Sequence, residues 1–401
     1  TGNSNLNCIS VDDASWSTTN WTDIDAHTSF SDDCPDLFTW VGSLTTDYYY
    51  DIAASWEVNG VTSTVVPGAN DDIIIPGYPT ALSPCVIRDS RNIRNVTINP
   101  SGYFSVGNYQ NNQYYTFTVD GTFENNGLID YVGAVEIISN GTFDGGYIDE
   151  TNGSSGLLTL KGTVSSLLDY SQNPNGTLYP KIKYAGSANQ NIFAANYENL
   201  VIDLLNDNDT AFLTGTVRVI GDGALGTPPT FDYLSGILNN NTHTLEFGPN
   251  ITSSNIAING SKHFFNGFVS KQFLGSAAAA PFIYIIGDGT NYRPIALSTS
   301  STSLNTISCA NLFAVPNQSS LNSSLSSIET YGWDIKRVFG TDGFDITIQL
   351  SSQNDNNISN INHLTIAMWD GTEWTEVPST VTGTASSGSV ITNSPVSDFS
   401  N

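Results

Sequence analysis

Basic residues are scarce in this chain of 401 residues: 12 Lys and Arg stand against 38 Asp and Glu, a formal charge of −26. Basic patches are what hold nucleic acid and anionic lipid, so a surface this acidic repels both. Long apolar runs are also missing. No stretch of about 20 apolar residues occurs, so no helix spans a membrane and no membrane insertion is expected. Helical periodicity is absent beyond about two turns, and the best stretch, 321–328, is short. Cysteine is limited to Cys8, Cys34, Cys85 and Cys309, with no CxxC, and the four His (His27, His243, His263, His363) are scattered. That spacing argues against a zinc site, and no Ser or Cys nucleophile pattern neighbours the His to suggest a hydrolase triad.

The even cysteine count, in a chain that opens on Thr1 rather than Met, reads as a processed, exported protein with disulfides. Four cysteines allow three pairings. Cys8–Cys34 closes a short loop in a strand-poor segment, worth about 3 kcal/mol by chain entropy. Cys85–Cys309 is then left by elimination.

Asn, Ser, Thr and Gly dominate the remainder. With 19 Phe, 18 Tyr and 7 Trp the chain has material for cores, and its length is too great for one. Short β-branched runs punctuated by Gly, Asn and Pro predict an all-β protein. Within it lies a repeat. Gly102, Gly121, Gly141 and Gly162 each follow an alternating strand and precede an apolar residue: Phe104, Phe123, Phe143 and Val164. A period near 20 with strand, turn glycine and strand describes one rung of a β-solenoid, whose stacked rungs bury a continuous interior. Glycine is expected at the turn because it accepts positive φ, and Phe104, Phe123 and Phe143 are expected to stack inside. The same phrase returns at Gly215 and Gly236. Trp16, Trp21, Trp40 and Trp56 precede the repeat and are expected to cap its open end. From about 282 the strands lengthen (282–286, 293–297, 333–338, 344–350, 364–368, 373–377, 389–392), as in an antiparallel sandwich. The predicted organisation is a Trp-rich cap with a disulfide at 1–65, a parallel β-helix-like solenoid at 66–275, and a β-sandwich at 276–401.

Several phrases, in order, carry a resemblance. Val66-Pro67-Gly68-Ala69-Asn70-Asp71-Asp72-Ile73-Ile74-Ile75 is followed by Asn95-Val96-Thr97-Ile98-Asn99. Later come Gly287-Asp288-Gly289-Thr290-Asn291-Tyr292-Arg293-Pro294 and Trp369-Asp370-Gly371-Thr372-Glu373-Trp374. The chain closes on Val396-Ser397-Asp398-Phe399-Ser400. Over most of 15–400 this resembles the repeat-rich exported surface proteins of gliding, Bacteroidetes-type bacteria. The resemblance implies an adhesin, a surface fibre or cargo of type IX secretion, and carries over no catalytic residue. The family pattern continues beyond the point where this chain stops with one more apolar strand, which implies an open sheet edge near Val396 and Phe399.

Candidate chemistry is sparse. Asp71 and Asp72 offer oxygens for Ca²⁺, as do Asp12-Asp13 and Asp207-Asn208-Asp209, though none has EF-hand spacing. The competing role is turn chemistry, with Asn70 and Asp71 capping the turn before Ile73. Gly287-Asp288-Gly289 lacks the strand-to-helix context of a phosphate loop and reads as a hairpin turn. Asp144, Asp149 and Glu150 lie in one neighbourhood that a polysaccharide-cleaving β-helix could use. Tyr48-Tyr49-Tyr50 and Tyr114-Tyr115 each present at least one outward ring for sugar or partner contact. Asn140 heads one of many Asn-X-Ser/Thr sequons, and Thr210 sits in an Asp-Thr-Ala signal for O-glycosylation in such bacteria.

The expected function is a non-catalytic extracellular structural or adhesive surface protein, with no required cofactor. Self-association into a filament by β-strand addition is expected. The donor segment would be Thr1, Gly2, Asn3, Ser4, Asn5 and Leu6, and the acceptor edge would lie near Val396 and Phe399. Surface glycans or other cells are the other expected partners. The alternative is a carbohydrate-binding or polysaccharide-cleaving β-helix.

Overall fold

Alternating apolar residues in short runs bury one side of each strand, and among the described residues 51% are strand and 5% helix. In this computed structural model the described residues are 8–26, 28–32, 34–42, 49–77, 83–107, 113–150, 155–167, 181–187, 189–220, 229–259, 265–274, 280–287, 291–312, 314–350 and 358–399. The fold is a β-solenoid of about nine turns followed by antiparallel sheets that form a sandwich. The chain divides into two compact units near 168–181.

In the first unit three parallel walls wrap one interior. One wall stacks Leu37–Trp40, Asp72–Ile75, Asn95–Ile98, Thr122–Asn125, Thr142–Asp144 and Val164–Ser166. A second stacks Cys85–Ile87, Tyr103–Gly107, Leu128–Val132 and Tyr147–Glu150. The third stacks Arg91–Ile93, Tyr115–Val119, Ala134–Ser139 and Ser155–Leu160. Ile73, Val96, Phe123 and Phe143 occupy successive rungs in register and are all buried. Phe123 and Phe143 meet edge to face at 5.4 Å.

The glycine repeat holds, but for a different reason and with a different phase. Gly121, Gly141 and Gly162 lie outside the left-handed region. They are glycines because turn rests on turn: a Cβ on Gly141 would sit 2.1 Å from the Gly121 carbonyl oxygen, and one on Gly162 would sit 1.8 Å from that of Gly141. Gly102 belongs to a second ladder on another corner, with Gly127 and Gly146; a Cβ on Gly127 would lie 2.4 Å from the Gly102 oxygen. Phe104 therefore faces inward from the second wall, its ring 5.1 Å from Phe117, and does not stack with Phe123. Each rung has two such corners, so a single spacing near 20 merges two ladders. Gly215 and Gly236 are not equivalent either: Gly215 precedes Val217–Val219, while Gly236, at φ +94°, separates Thr230–Ser235 from Ile237–Phe247.

The tryptophans split. Trp40 and Trp56 are fully buried, 5.0 Å apart, with Tyr50 against Trp56. They sit where Trp56–Val58 pairs antiparallel to Leu37–Trp40 and closes the end of the first wall. Trp16 and Trp21 are exposed instead. The disulfide Cys8–Cys34 is formed. Cys85 and Cys309 are free thiols, contrary to the expected pair. Each is an inward-facing position of a different unit, spent on packing, and burial pushes both thiols well up from their ordinary pKa.

In the second unit one parallel wall stacks Lys181–Tyr184, Asn199–Asp203, Thr230–Ser235 and Ile256–Ile258. Another runs Gln190–Ile192, Thr210–Leu213, Ile237–Phe247 and Phe265–Phe273, then changes sense. Asn305–Leu312 and Gly332–Phe339 continue it antiparallel. A second antiparallel sheet is ordered Phe282–Tyr284, Ile295–Ser298, Asp345–Gln349, Ser389–Thr392, Ser379–Thr382. The two sheets meet through Phe273 and Phe344 (4.9 Å), Phe247 and Phe282 (5.6 Å), and the Tyr284 hydroxyl donating to the Ile307 carbonyl (3.0 Å).

Candidate functional site

Asp71 and Asp72 act as clamps between turns. Asp71 Oδ2 accepts from the Gly68 N–H (2.8 Å) and its Oδ1 from the Asp36 N–H (3.0 Å). Asp72 takes the Arg94 guanidinium on both oxygens (2.8 and 2.6 Å) and the Asn95 amide on Oδ1 (2.8 Å). Asn95 Oδ1 in turn accepts from the Thr122 N–H at 2.6 Å, so the acidic motif links three rungs. All four carboxylate oxygens are committed to protein donors, which leaves turn clamping as the role this geometry supports. Among the described residues no group of three or more His, Cys, Asp or Glu is placed to hold a metal.

Asp144 accepts from the Ser166 hydroxyl in the first wall, whereas the backbone of Asp149 and Glu150 lies in the second wall. The side chains of Asp149 and Glu150 are outside the described residues, as are Asp288 and the segment Thr1 to Leu6. Gly287 bridges Tyr292 antiparallel, as a hairpin requires, and Arg293 lies 3.7 Å over the Tyr331 ring. Of the tyrosine runs, Tyr50 and Tyr115 are buried; Tyr114 faces out and donates to Glu136 at 2.5 Å. Asn140 is half-buried in a glycine turn, its amide donating to Asp120 Oδ1 (2.7 Å). Thr210 is half-buried at the start of Thr210–Leu213, opposite Ile237.

Val396 and Phe399 are parts of the core. Val396 exchanges two 2.8 Å backbone hydrogen bonds with Phe344, and Phe399 lies against the same ring at 6.2 Å. Arg337 covers Phe399 and donates to the Asp342 and Ser397 carbonyls (2.7 and 2.9 Å). A sheet-terminal strand with exposed apolar side chains lies elsewhere among the described residues. Gly332–Phe339 ends its sheet, pairs only with Asn305–Leu312 among the described residues, and leaves Val338 62% and Phe339 58% exposed.

A further charged group lies in the core. Lys271 alternates inward with Val269 and Phe273 on Phe265–Phe273 and is 4% exposed. Its ammonium donates to the carbonyls of Gly248 (2.5 Å), Gln272 (2.7 Å) and Pro249 (3.2 Å), between the rings of Phe273 and Phe282. Desolvation pushes its pKa down to about 7. Period-two alternation in Phe268-Val269-Ser270-Lys271-Gln272-Phe273 was the available signal.

These features define an all-β solenoid protein with a stapled N-terminal element and an antiparallel sheet that ends, among the described residues, at Gly332–Phe339. No family model, curated protein or solved structure matches the chain.

Proposed function

We propose that the protein is a non-catalytic, extracellular surface scaffold with an adhesive role, and that copies join by backbone pairing along the sheet-terminal strand, from Trp333 to Phe339. That strand carries the reading: eight residues long, last in its sheet, with two adjacent apolar side chains in solvent. Beyond Gly332, a strand in this position offers backbone N–H and C=O groups that an extended segment can pair with. Support also comes from the disulfide, which belongs to an oxidising compartment. The ordered resemblance to exported proteins of gliding bacteria points the same way. Non-catalytic use agrees with carboxylates engaged in turn clamps and ion pairs, as in Asp72–Arg94, Lys183–Asp203 and Lys181–Asp232.

The test is electron microscopy and sedimentation of the purified protein, alone and as Val338→Pro. The pairing register skips at this position, so a proline there costs the fold little while its ring obstructs an incoming strand. Polymers that grow with concentration and vanish in the variant are expected. A wild-type protein that stays monomeric at the highest attainable concentration, or a variant that polymerises equally, refutes the edge.

A further inference from the structure

The helix Ala14–Asn20 buries only Ser17, so the core makes little use of it. Its sequence nevertheless places two indoles in solvent: Trp16 is 55% and Trp21 48% exposed. Tryptophan is the largest apolar side chain, and two left out together call for a reason beyond folding. Their rings meet edge to face, centroids 6.1 Å apart and planes at 80°. Trp21 in turn meets Phe30 edge to face at 5.3 Å. The result is a step with two aromatic faces near a right angle.

The step is held in shape from several sides. Asp13 caps the helix by accepting from the Trp16 N–H at 2.8 Å, and the Trp21 N–H donates to the Ser17 carbonyl at 2.8 Å. Thr18, Thr19 and Asn20 each turn their donors back onto the carbonyl four residues earlier (2.7, 2.9 and 2.7 Å). Phe30 lies on Ser29–Ser31, which pairs with Cys8–Ser10, and the Cys8–Cys34 disulfide joins the two ends of the segment. A platform ordered before its ligand arrives loses little entropy on binding.

Charge selects the ligand class. The first 87 residues contain no Lys and no Arg, and Asp12, Asp13, Asp23 and Asp25 flank the two tryptophans in sequence. Sulfated, phosphorylated or uronate ligands would meet like charge from these carboxylates. The apolar C–H face of a pyranose ring needs only an aromatic surface, and its hydroxyls can remain in water.

We propose that Trp16 and Trp21 form a binding site for polysaccharides without acidic groups, stacking pyranose rings on the two indole faces. The site gives the adhesive role its ligand class and rests on that reading, but not on strand pairing.

The experiment is affinity electrophoresis and pull-down of the full chain on neutral glucan, neutral mannan, chitosan and alginate. Wild type, Trp16→Ala, Trp21→Ala and the double variant are compared with Leu205→Ala, which trims another exposed apolar side chain. Retention on at least one non-acidic polymer is expected for wild type and Leu205→Ala. Either tryptophan variant should weaken it about tenfold, the usual scale for an anchor residue, with alginate unbound throughout. The circular dichroism spectrum and the intact disulfide verify folding of each variant. No retention on any non-acidic polymer, equal retention by the double variant, or preference for alginate overturns the site. So does an oligomer that dissociates in the double variant while glycan retention is unchanged, since a second copy would then be the occupant. Loss of polymers at Val338→Pro with glycan binding intact keeps the two ideas separate: failure here leaves strand pairing standing, and the reverse.

Discussion

Substituting Gly141 by Ala tests why the rungs stack. The added Cβ would lie 2.1 Å from the Gly121 oxygen and 2.8 Å from its carbonyl carbon. Relief requires the turn to rise by about 1 Å, since backbone contacts this close cannot be compressed. That lift strains the Asn140 N–H to Val119 carbonyl bond (2.9 Å) and the Asn140 to Asp120 side-chain bond (2.7 Å). Two hydrogen bonds are worth about 2 kcal/mol, and the overpacking adds about 1–3 kcal/mol. Stiffening of the unfolded chain returns less than about 1 kcal/mol. A net loss of about 3 kcal/mol is expected. Gly60→Ala is the control, because Gly60 has φ +76° and no atom within 4 Å of its Cβ position. It should lose about 1 kcal/mol, the cost of a left-handed backbone alone. Native-state hydrogen exchange reads both, through the slowest amides of Thr122–Asn125 and Thr142–Asp144. If turn glycines serve positive φ instead of close stacking, the order reverses, and Gly60→Ala proves the more damaging.

The remaining predictions concern charge and the crosslink. Between pH 7 and 9.5 the unfolded chain holds a proton on Lys271 that the folded chain has released, so stability rises with pH across that window. Each pKa unit is worth about 1.4 kcal/mol, so the rise is up to about 3 kcal/mol, limited by the three carbonyls that favour the charged form. Lys271→Met should flatten that slope in denaturant melts, and equal slopes in the two proteins would refute the assignment. Reducing Cys8–Cys34 releases a closure with sequence separation 26, worth about 3.5 kcal/mol by chain entropy. Exchange in Ala14–Asn20 should then approach the unfolded rate, whereas protection that survives reduction would show that packing alone holds the helix.

Regular features were legible in the sequence because they repeat. Strand alternation placed Phe123 and Phe143 inside, and lengthening strands marked the antiparallel part. Two strands there escaped notice. Asn305–Leu312 is rich in small polar residues, and Ser379–Thr382 lies at an edge, so neither shows an apolar run. The phase of the glycines is not legible because two corners of one rung use the same residue. The expected Cys85–Cys309 pair follows only by elimination, but an inward thiol in a strand packs as a small apolar side chain and needs no mate. Burial of Lys271 depends on carbonyls from a neighbouring turn, Gly248 and Pro249, and on Phe282 from another strand, which no local window contains. The exposure of Trp16 and Trp21 was likewise hidden, since composition alone makes every tryptophan a core candidate.

One strand, Phe265–Phe273, has a parallel neighbour on one side and an antiparallel neighbour on the other. It is therefore the last coil of one architecture and an inner member of the next. Melting the antiparallel layers would strip one flank of that strand and uncover the ring of Phe273; unwinding the final coil would strip the other. The two motifs of this unit thus share a common fate on denaturation, and a cut between them at the protein or gene level would yield no clean half.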